Sequence, residues 1–293
     1  MRKLNIGLFN DSFPPTIDGV AQTVKNYATV LQQNHCNVTV VTPEYKGVRD
    51  EYPFEVFRYQ SVPLDRRIGY RAGNPFNPDT LLKLRAKRFD LMHVHAPFAS
   101  SVLVSNINHR PKVPVVLTYH TKFDIDISKR IALHGFRKIA MRFLLENINA
   151  ADEIWVVTEG CAQSLRDIGY KGSYMVMENG TDFRYGRATP EKVEELREKY
   201  QIRQDEFVFL FVGRMMWYKN VRLILDTLKI LRGRGVPFRA LMVGDGYDAP
   251  AIREYASQQG LAECVTFTGP VYDREYLRVF YSLADMFLFP STY

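Results

Sequence analysis

Two spacings of apolar residues alternate along this chain. Short, nearly continuous apolar runs are followed by longer stretches in which apolar residues recur every three or four positions. Runs of the first kind read as strands buried on both faces, and stretches of the second kind as amphipathic helices. Strands are expected at Leu4–Phe9, Val38–Val41, Leu91–Val94, Val115–Tyr119, Ile154–Val157 and Tyr174–Met177. Helices fall between them, near Val20–Gln33, Thr80–Lys87, Ser101–Asn108, Lys129–Asn149 and Cys161–Ile168. Residues Thr181–Asp205 then turn polar, with Gly186, Pro190 and a charged helix over Glu191–Tyr200. A second series follows: strand Phe207–Val212, helix Val221–Arg232, strand Phe238–Val243, helix Ala251–Gln259, strand Val265–Thr268, helix Arg274–Ser282 and strand Met286–Phe289.

This alternation predicts an α/β protein with two parallel sheets. The expected division is a domain over 1–182, a linker and connecting helix over 183–205 with the hinge near Asp182, and a domain over 206–293. The last strand is followed only by Pro290-Ser-Thr-Tyr293. A parallel sheet normally continues there with a crossover helix, so the second domain is expected to be incomplete.

Composition narrows the class. A length of 293 residues accommodates two domains, and a hydrophobic share of 46% supplies their cores. No run of about 18 apolar residues is present, and the short apolar start after Met1-Arg-Lys does not read as a secretory signal. Cys36, Cys161 and Cys264 are too scattered for a metal pair or a disulfide framework, which fits a reducing cytoplasm. The net charge of +7 favours an anionic partner: nucleotide phosphate, acidic lipid or nucleic acid. No nucleic-acid-binding motif accompanies it.

Candidate chemistry collects at strand ends. Arg214 and Lys219 stand where Phe209-Leu-Phe-Val-Gly runs out toward a helix, the place where an α/β sheet holds an anion. The plain alternative is a solvated loop pair. Gly19, at the start of a helix after Pro14-Pro-Thr-Ile-Asp, leaves room for close approach, or simply makes a turn. His93 and His95 share one side of a strand. A His-x-His could bind a metal, but no spaced third ligand is found, and hydrogen-bonded strand-end histidines are the preferred reading. His120 ends a buried strand within a dense polar cluster, placed to donate a hydrogen bond or exchange a proton, or to cap the strand. Asn179 lies in an Asn-Gly turn near the expected hinge. Gly244 and Gly246 follow a strand and could admit a ligand to the backbone or form an ordinary loop. Over Lys129–Leu145, a helix would carry Arg130, His134, Arg137, Lys138 and Arg142 on one side, with Ala132, Phe136, Ile139, Ala140 and Phe143 on the other. The basic side, with Arg66, Arg67 and Arg71, is either a solvated face or a dock for an anionic membrane.

Taken together, these segments resemble the family-4 retaining glycosyltransferases of the GT-B fold. The resemblance rests on Pro14-Pro-x-x-Asp-Gly-Val, His93-Val-His95, Thr118-Tyr-His-Thr121, Glu178-Asn-Gly-Thr-Asp182, Val212-Gly-Arg-x(4)-Lys219-Asn, Val243-Gly-Asp-Gly246, Val265-x-Phe-x-Gly269 and Phe287-Leu-Phe-Pro-Ser291. The Tyr119-His-Thr segment and the stretch from Tyr59-Gln-Ser-Val-Pro63 to Tyr70-Arg71 look like bacterial enzymes that glycosylate diacylglycerol or related lipids. Two departures stand out. The family usually has Gly-Gly where this chain has Asp18-Gly19, and its Glu-x(7)-Glu motif would fall beyond Tyr293. The latter marks the chain as a fragment expected to be inactive alone.

The resemblance implies two Rossmann-like domains facing a cleft that takes a nucleotide-diphosphate sugar. Arg214 and Lys219 would meet the diphosphate, and His120 the donor sugar. Gly19, Asn179, Gly244, Gly246, Val271 and Tyr272 would complete the nucleotide-sugar site, with the base beside the last two. Transfer of a hexose would proceed with retention and without a metal or other cofactor. The protein would be cytoplasmic, and the acceptor could be a membrane lipid, reached from the inner face of the membrane, or a soluble molecule. Two other functions remain compatible with the residues: a nucleotide-sugar epimerase of the same fold, and a non-catalytic nucleotide-sugar-binding module.

Overall fold

A computed structural model of the chain describes residues 2–16, 18–65, 70–108, 112–120 and 134–291. The chain divides into two units, Met1–Thr181 and Asp182–Tyr293. Among the described residues, no helix is long and apolar enough to cross a membrane.

In unit 1, β1 (Asn5–Phe9), α1 (Gly19–Gln33), β2 (Asn37–Pro43) and β3 (Glu55–Tyr59) come first. The strands β4 (Ser61–Asp65) and β5 (Tyr70–Gly73) follow, then α2 (Pro78–Ala86), β6 (Leu91–Val94), α3 (Ala99–Ile107) and β7 (Val115–Tyr119). The unit closes with α4 (His134–Asn149), β8 (Glu153–Val156), α5 (Glu159–Asp167) and β9 (Met175–Val176). Seven strands form one sheet in the order β3-β2-β1-β6-β7-β8-β9, every pair parallel. The strands are apolar on both sides because both faces are covered. Phe9, Val41, Leu117 and Val156 pack with Leu103, Leu144 and Ile148 on one face. Leu8, Val38 and Val40 pack with Val24 and Ala28 of α1 on the other.

The strands β3, β4 and β5 were not legible in the apolar pattern. β3 is a sheet edge with mostly half-buried residues, and β4 and β5 form a separate antiparallel ribbon. Gly73 ties that ribbon to the core: a Cβ there would collide with the Tyr59 ring and its hydroxyl.

The α4 helix corrects one expectation. Arg66, Arg67, Arg130 and Ala132 lie outside the described residues, as do the side chains of His134, Phe136 and Arg137. Within the described part, Leu144 and Ile148 enter the core, with Met141 and Leu145 beside them. Successive helical residues are rotated by about 100°. Anchoring at 144 and 148 therefore turns Ile139 and Phe143 outward, where they are 66% and 46% exposed, rather than onto the sheet. They share the exposed surface with Lys138 and Arg142.

Unit 2 contains α6 (Pro190–Lys199), β10 (Phe207–Val212), a 3-10 turn (Trp217–Lys219), α7 (Val221–Gly233) and β11 (Phe238–Val243). It continues with α8 (Ala249–Gln258), β12 (Val265–Gly269), α9 (Arg274–Leu283) and β13 (Met286–Phe287). Its four strands run parallel in the order β12-β11-β10-β13. Alternate residues of β10 separate two cores. Phe209 and Phe211 meet α7 and α8, whereas Val208 and Leu210 meet α6 and α9.

The segment read as a linker, 183–205, is built into this unit. Leu196, Ala188 and Ile202 are buried in its core. Arg274 pairs with Asp182, Arg187 donates to Ser282 O at 2.9 Å, and Ala188 N donates to Ser282 Oγ at 2.8 Å. Polar composition marked the stretch as a connection. Its few apolar residues, Ala188 before α6, Leu196 within it and Ile202 after it, are buried and decide its place.

Candidate active site

Because all strands within each of the two main sheets are parallel, their carboxyl ends share one edge, where ligands of open α/β sheets bind. In unit 2 this edge carries Gly213-Arg214 after β10, Gly244-Asp-Gly246 after β11, Val271 and Tyr272 after β12, and Phe289-Pro290 after β13. Six of the expected site residues therefore lie along it: Arg214, Lys219, Gly244, Gly246, Val271 and Tyr272. Val271 is half-buried against the core, and Tyr272 is 71% exposed.

Lys219 ends the 3-10 turn, and Asn220 turns the chain into α7 through a left-handed conformation, φ 59°. Asn220 does not cap α7 with its side chain; it donates from Nδ2 to Pro290 O at 3.3 Å, tying the turn to the end of β13. The Lys219 ammonium lies 5.4 Å from the rings of both Tyr218 and Phe289. Burial lowers its proton affinity, and the Arg214 charge lowers it further. Two cations thus lie near one another in a partly desolvated place.

The glycines after β11 are required by the chain itself. Gly244 has φ 132°, and a Cβ there would collide with the Gly213 carbonyl. A Cβ on Gly246 would stand 2.6 Å from Met215 O. Their close fit lets Met215 N donate to Asp245 O at 3.0 Å and Gly213 N to Val243 O at 3.0 Å. The room read as admitting a ligand is filled by the loop that carries Arg214.

In unit 1 the carboxyl edge gathers three histidines. The His93 and His95 rings lie 4.0 Å apart, centroid to centroid, as their shared side of β6 predicts. His93 Nε2 is 2.7 Å from Thr118 Oγ1, and His95 Nδ1 is 2.9 Å from His120 Nε2. Tyr27 of α1 packs against the His93 and His95 rings, at 5.5 Å and 5.6 Å. Burial holds all three neutral: it drives His93 to about 3 and His120 to about 4, and pushes His95 well below its ordinary value. The outer nitrogens, His95 Nε2 and His120 Nδ1, are buried and have no hydrogen-bond partner among the described residues.

Gly19 opens α1, and nothing lies within 4 Å of a Cβ placed on it. Its neighbour Asp18 caps the helix, accepting from Ala21 N at 2.7 Å with one oxygen and from Tyr70 OH at 2.9 Å with the other. The positive end of α1 therefore already faces a carboxylate of the protein's own. Asn179 is exposed just beyond β9.

One residue the sequence reading passed over is Asp11, just after β1. Its Oδ1 accepts from Ser100 N at 2.9 Å and Ser100 Oγ at 2.7 Å, holding the start of α3. Burial raises its carboxyl to about 6 despite those bonds. The available signal was a polar run, Asn10-Asp-Ser12, directly after an apolar strand. Among the described residues no group of three or more His, Cys, Asp or Glu is disposed to hold a metal ion.

This pair of parallel α/β units, with candidate residues at the sheet edges, is of the GT-B glycosyltransferase class. A sucrose-phosphate synthase from Thermosynechococcus elongatus superposes with a TM-score of 0.76 at 20% identity, covering 99% of this chain and 76% of that one. HepE from Anabaena, solved with UDP, gives 0.76 at 17% identity over 99% of this chain and 75% of its own. Residues 17–185 match Glycosyltransferase Family 4, and residues 192–293 match the glycosyl transferases group 1. The chain belongs to Glycosyltransferase Family 4. Two similar curated proteins are alpha-monoglucosyldiacylglycerol synthases. That of Streptococcus pneumoniae is 25% identical over 297 residues, and that of Acholeplasma laidlawii 24% identical over 300. Each alignment covers 99% of this chain, which spans 66% of the first relative and 75% of the second.

Proposed function

We propose that this protein transfers a hexose from a nucleotide-diphosphate sugar to a lipid hydroxyl of the diacylglycerol type, with retention at the anomeric carbon. The observation that carries the reading is the cation pair: Arg214 and Lys219 share the carboxyl edge of unit 2, close enough for Arg214 to depress the lysine. As the glycosidic bond to phosphate breaks, negative charge grows on the departing diphosphate. Fixed cations aimed at that charge stabilise the transition state more than the ground state. A metal ion is not needed for this step when two side-chain cations supply the charge.

His120 stays neutral at physiological pH and hydrogen-bonds the donor sugar rather than protonating it. The lipid acceptor has two supports. The diacylglycerol synthases named above are similar over almost the whole chain. In addition, exposed Ile139 and Phe143 on α4 stand beside exposed Lys138 and Arg142, a surface suited to peripheral contact with anionic lipid.

The test is a donor screen with the protein as its gene encodes it, using UDP- and GDP-hexoses and vesicles containing diacylglycerol. Labelled glycolipid is the expected product. Epimerised donor formed without any acceptor would replace this reading with that of an isomerase.

A further inference from the structure

Asp248 stands immediately before α8, where a carboxylate normally caps its own helix. Asp18 and Asp273 do so here, accepting from Ala21 N at 2.7 Å and Tyr276 N at 3.0 Å. Asp248 makes no such bond. Pro250, in the first turn of α8, lacks an N–H and so removes one donor the cap would have served.

The carboxylate is turned instead toward the neighbouring loop. Its Oδ2 accepts from Trp217 N at 3.0 Å, and Trp217 opens the 3-10 turn that ends at Lys219. The Asp248 N–H donates to Met215 O at 3.3 Å. A third hold comes from the same helix, since the Trp217 ring meets Tyr255 edge-on at 5.8 Å. The start of α8 therefore grips residues 215 and 217, which lie between the two cations in the chain.

Such a grip has a physical purpose. Arg214 and Lys219 carry like charges, close enough for the arginine to weaken the lysine's hold on its proton, so their separation depends on the backbone that bears them. A tether on the backbone between them holds that separation.

We propose that Asp248 is a positioning residue that sets the spacing of Arg214 and Lys219 for a diphosphate. The inference rests on the reading that this pair receives the diphosphate of the donor. Asp248 need not touch substrate; it acts through the Trp217 amide.

The experiment compares Asp248→Ala, Asp248→Asn and Asp248→Ser with the wild-type chain, using two readouts. The first is the pH midpoint for acylation of the Lys219 amine, followed by mass spectrometry. The second is the affinity for UDP and GDP relative to uridine and guanosine, by calorimetry. In Asp248→Ala the acylation midpoint rises toward that of an ordinary lysine as Lys219 leaves Arg214. Affinity for the diphosphate form falls about tenfold, the worth of one hydrogen bond to a charged acceptor, while the bare nucleoside binds as before. Asp248→Asn, whose amide oxygen still accepts, restores both values. Asp248→Ser, too short to reach, behaves as the alanine variant and decides the matter if that variant does not fold. An unchanged acylation midpoint in folded Asp248→Ala or Asp248→Ser, or an asparagine variant as impaired as they are, overturns the inference. If Arg214→Ala leaves diphosphate affinity intact, the functional reading fails instead, and the acylation readout still decides the role of Asp248.

Discussion

His95 Nδ1 lies 2.9 Å from His120 Nε2, so one proton joins two buried imidazoles that burial keeps neutral. The tautomer of either ring dictates that of the other, and with it whether His120 Nδ1 offers a proton or a lone pair. In histidine 15N spectra of the wild-type chain at pH 7, both rings are expected as neutral single tautomers. Replacing His95 with Phe should leave His120 as a tautomer mixture. A protonated imidazole at either position would contradict this arrangement.

Acid should weaken unit 1. His93 and His120 bind protons more weakly when folded, at about 3 and about 4, than in an unfolded chain near 6.5. Stability is thus fully present above pH 6.5 and is lost as pH falls toward those folded values. The buried acid Asp11 works the other way: its folded value of about 6 lies above 3.8, so its contribution grows as pH falls between them. Two histidines outweigh one carboxyl, and the net loss between pH 6.5 and 4 should be on the order of 3 kcal/mol. Asp11→Asn removes the opposing contribution and should steepen the loss. Urea melts at several pH values measure both effects, and a stability maximum near pH 4 would contradict the sign.

Gly246→Ala should displace the loop bearing Arg214. The added Cβ would stand 2.6 Å from Met215 O, a backbone atom with little freedom to move. Overpacking of this kind costs about 1–3 kcal/mol. The melting temperature should fall and nucleoside diphosphate affinity with it. A variant equal to wild type in both would show that the two loops are not packed as described.

Flotation with vesicles of acidic lipid tests the exposed side of α4. Binding at low salt should weaken as salt is added, because Lys138 and Arg142 supply part of the attraction. Ile139→Ser with Phe143→Ser should abolish the salt-resistant remainder. Equal flotation of that double variant would remove α4 from the membrane contact.

Much of this architecture is legible in the residues alone. The interiors of runs such as Phe207–Val212 and Val115–Tyr119 are buried on both faces, so their apolar character marks the strands to the residue. β3 escaped because it lies at an edge and is half-buried, and β4 and β5 because their ribbon stands outside the main sheet. Helix orientation was harder still. In α4, residues 139, 140 and 143 gave a plausible apolar stripe, but the positions that enter the core, Leu144 and Ile148, lie one step around. At the candidate site, strand-end position places Arg214 and His120 on the carboxyl edges, and Lys219 follows in the turn after Arg214. What packs the loops around Arg214 and Lys219 was hidden. The reach of Asp248 to the Trp217 amide and the fit of Gly244 against Gly213 connect loops about thirty residues apart in the chain, and spacing carries no trace of such contacts.

On the proposed reading, Arg214 and Lys219 receive a diphosphate. Calorimetric titration of the wild-type chain, Arg214→Ala and Lys219→Ala with UDP and GDP, and with the matching nucleosides, tests it most directly. Each variant should lose on the order of a hundredfold in affinity for the diphosphate that wild type binds, consistent with removal of a charge-stabilising donor, and little for the nucleoside. Nucleoside diphosphate binding within threefold of wild type in both variants would contradict the account.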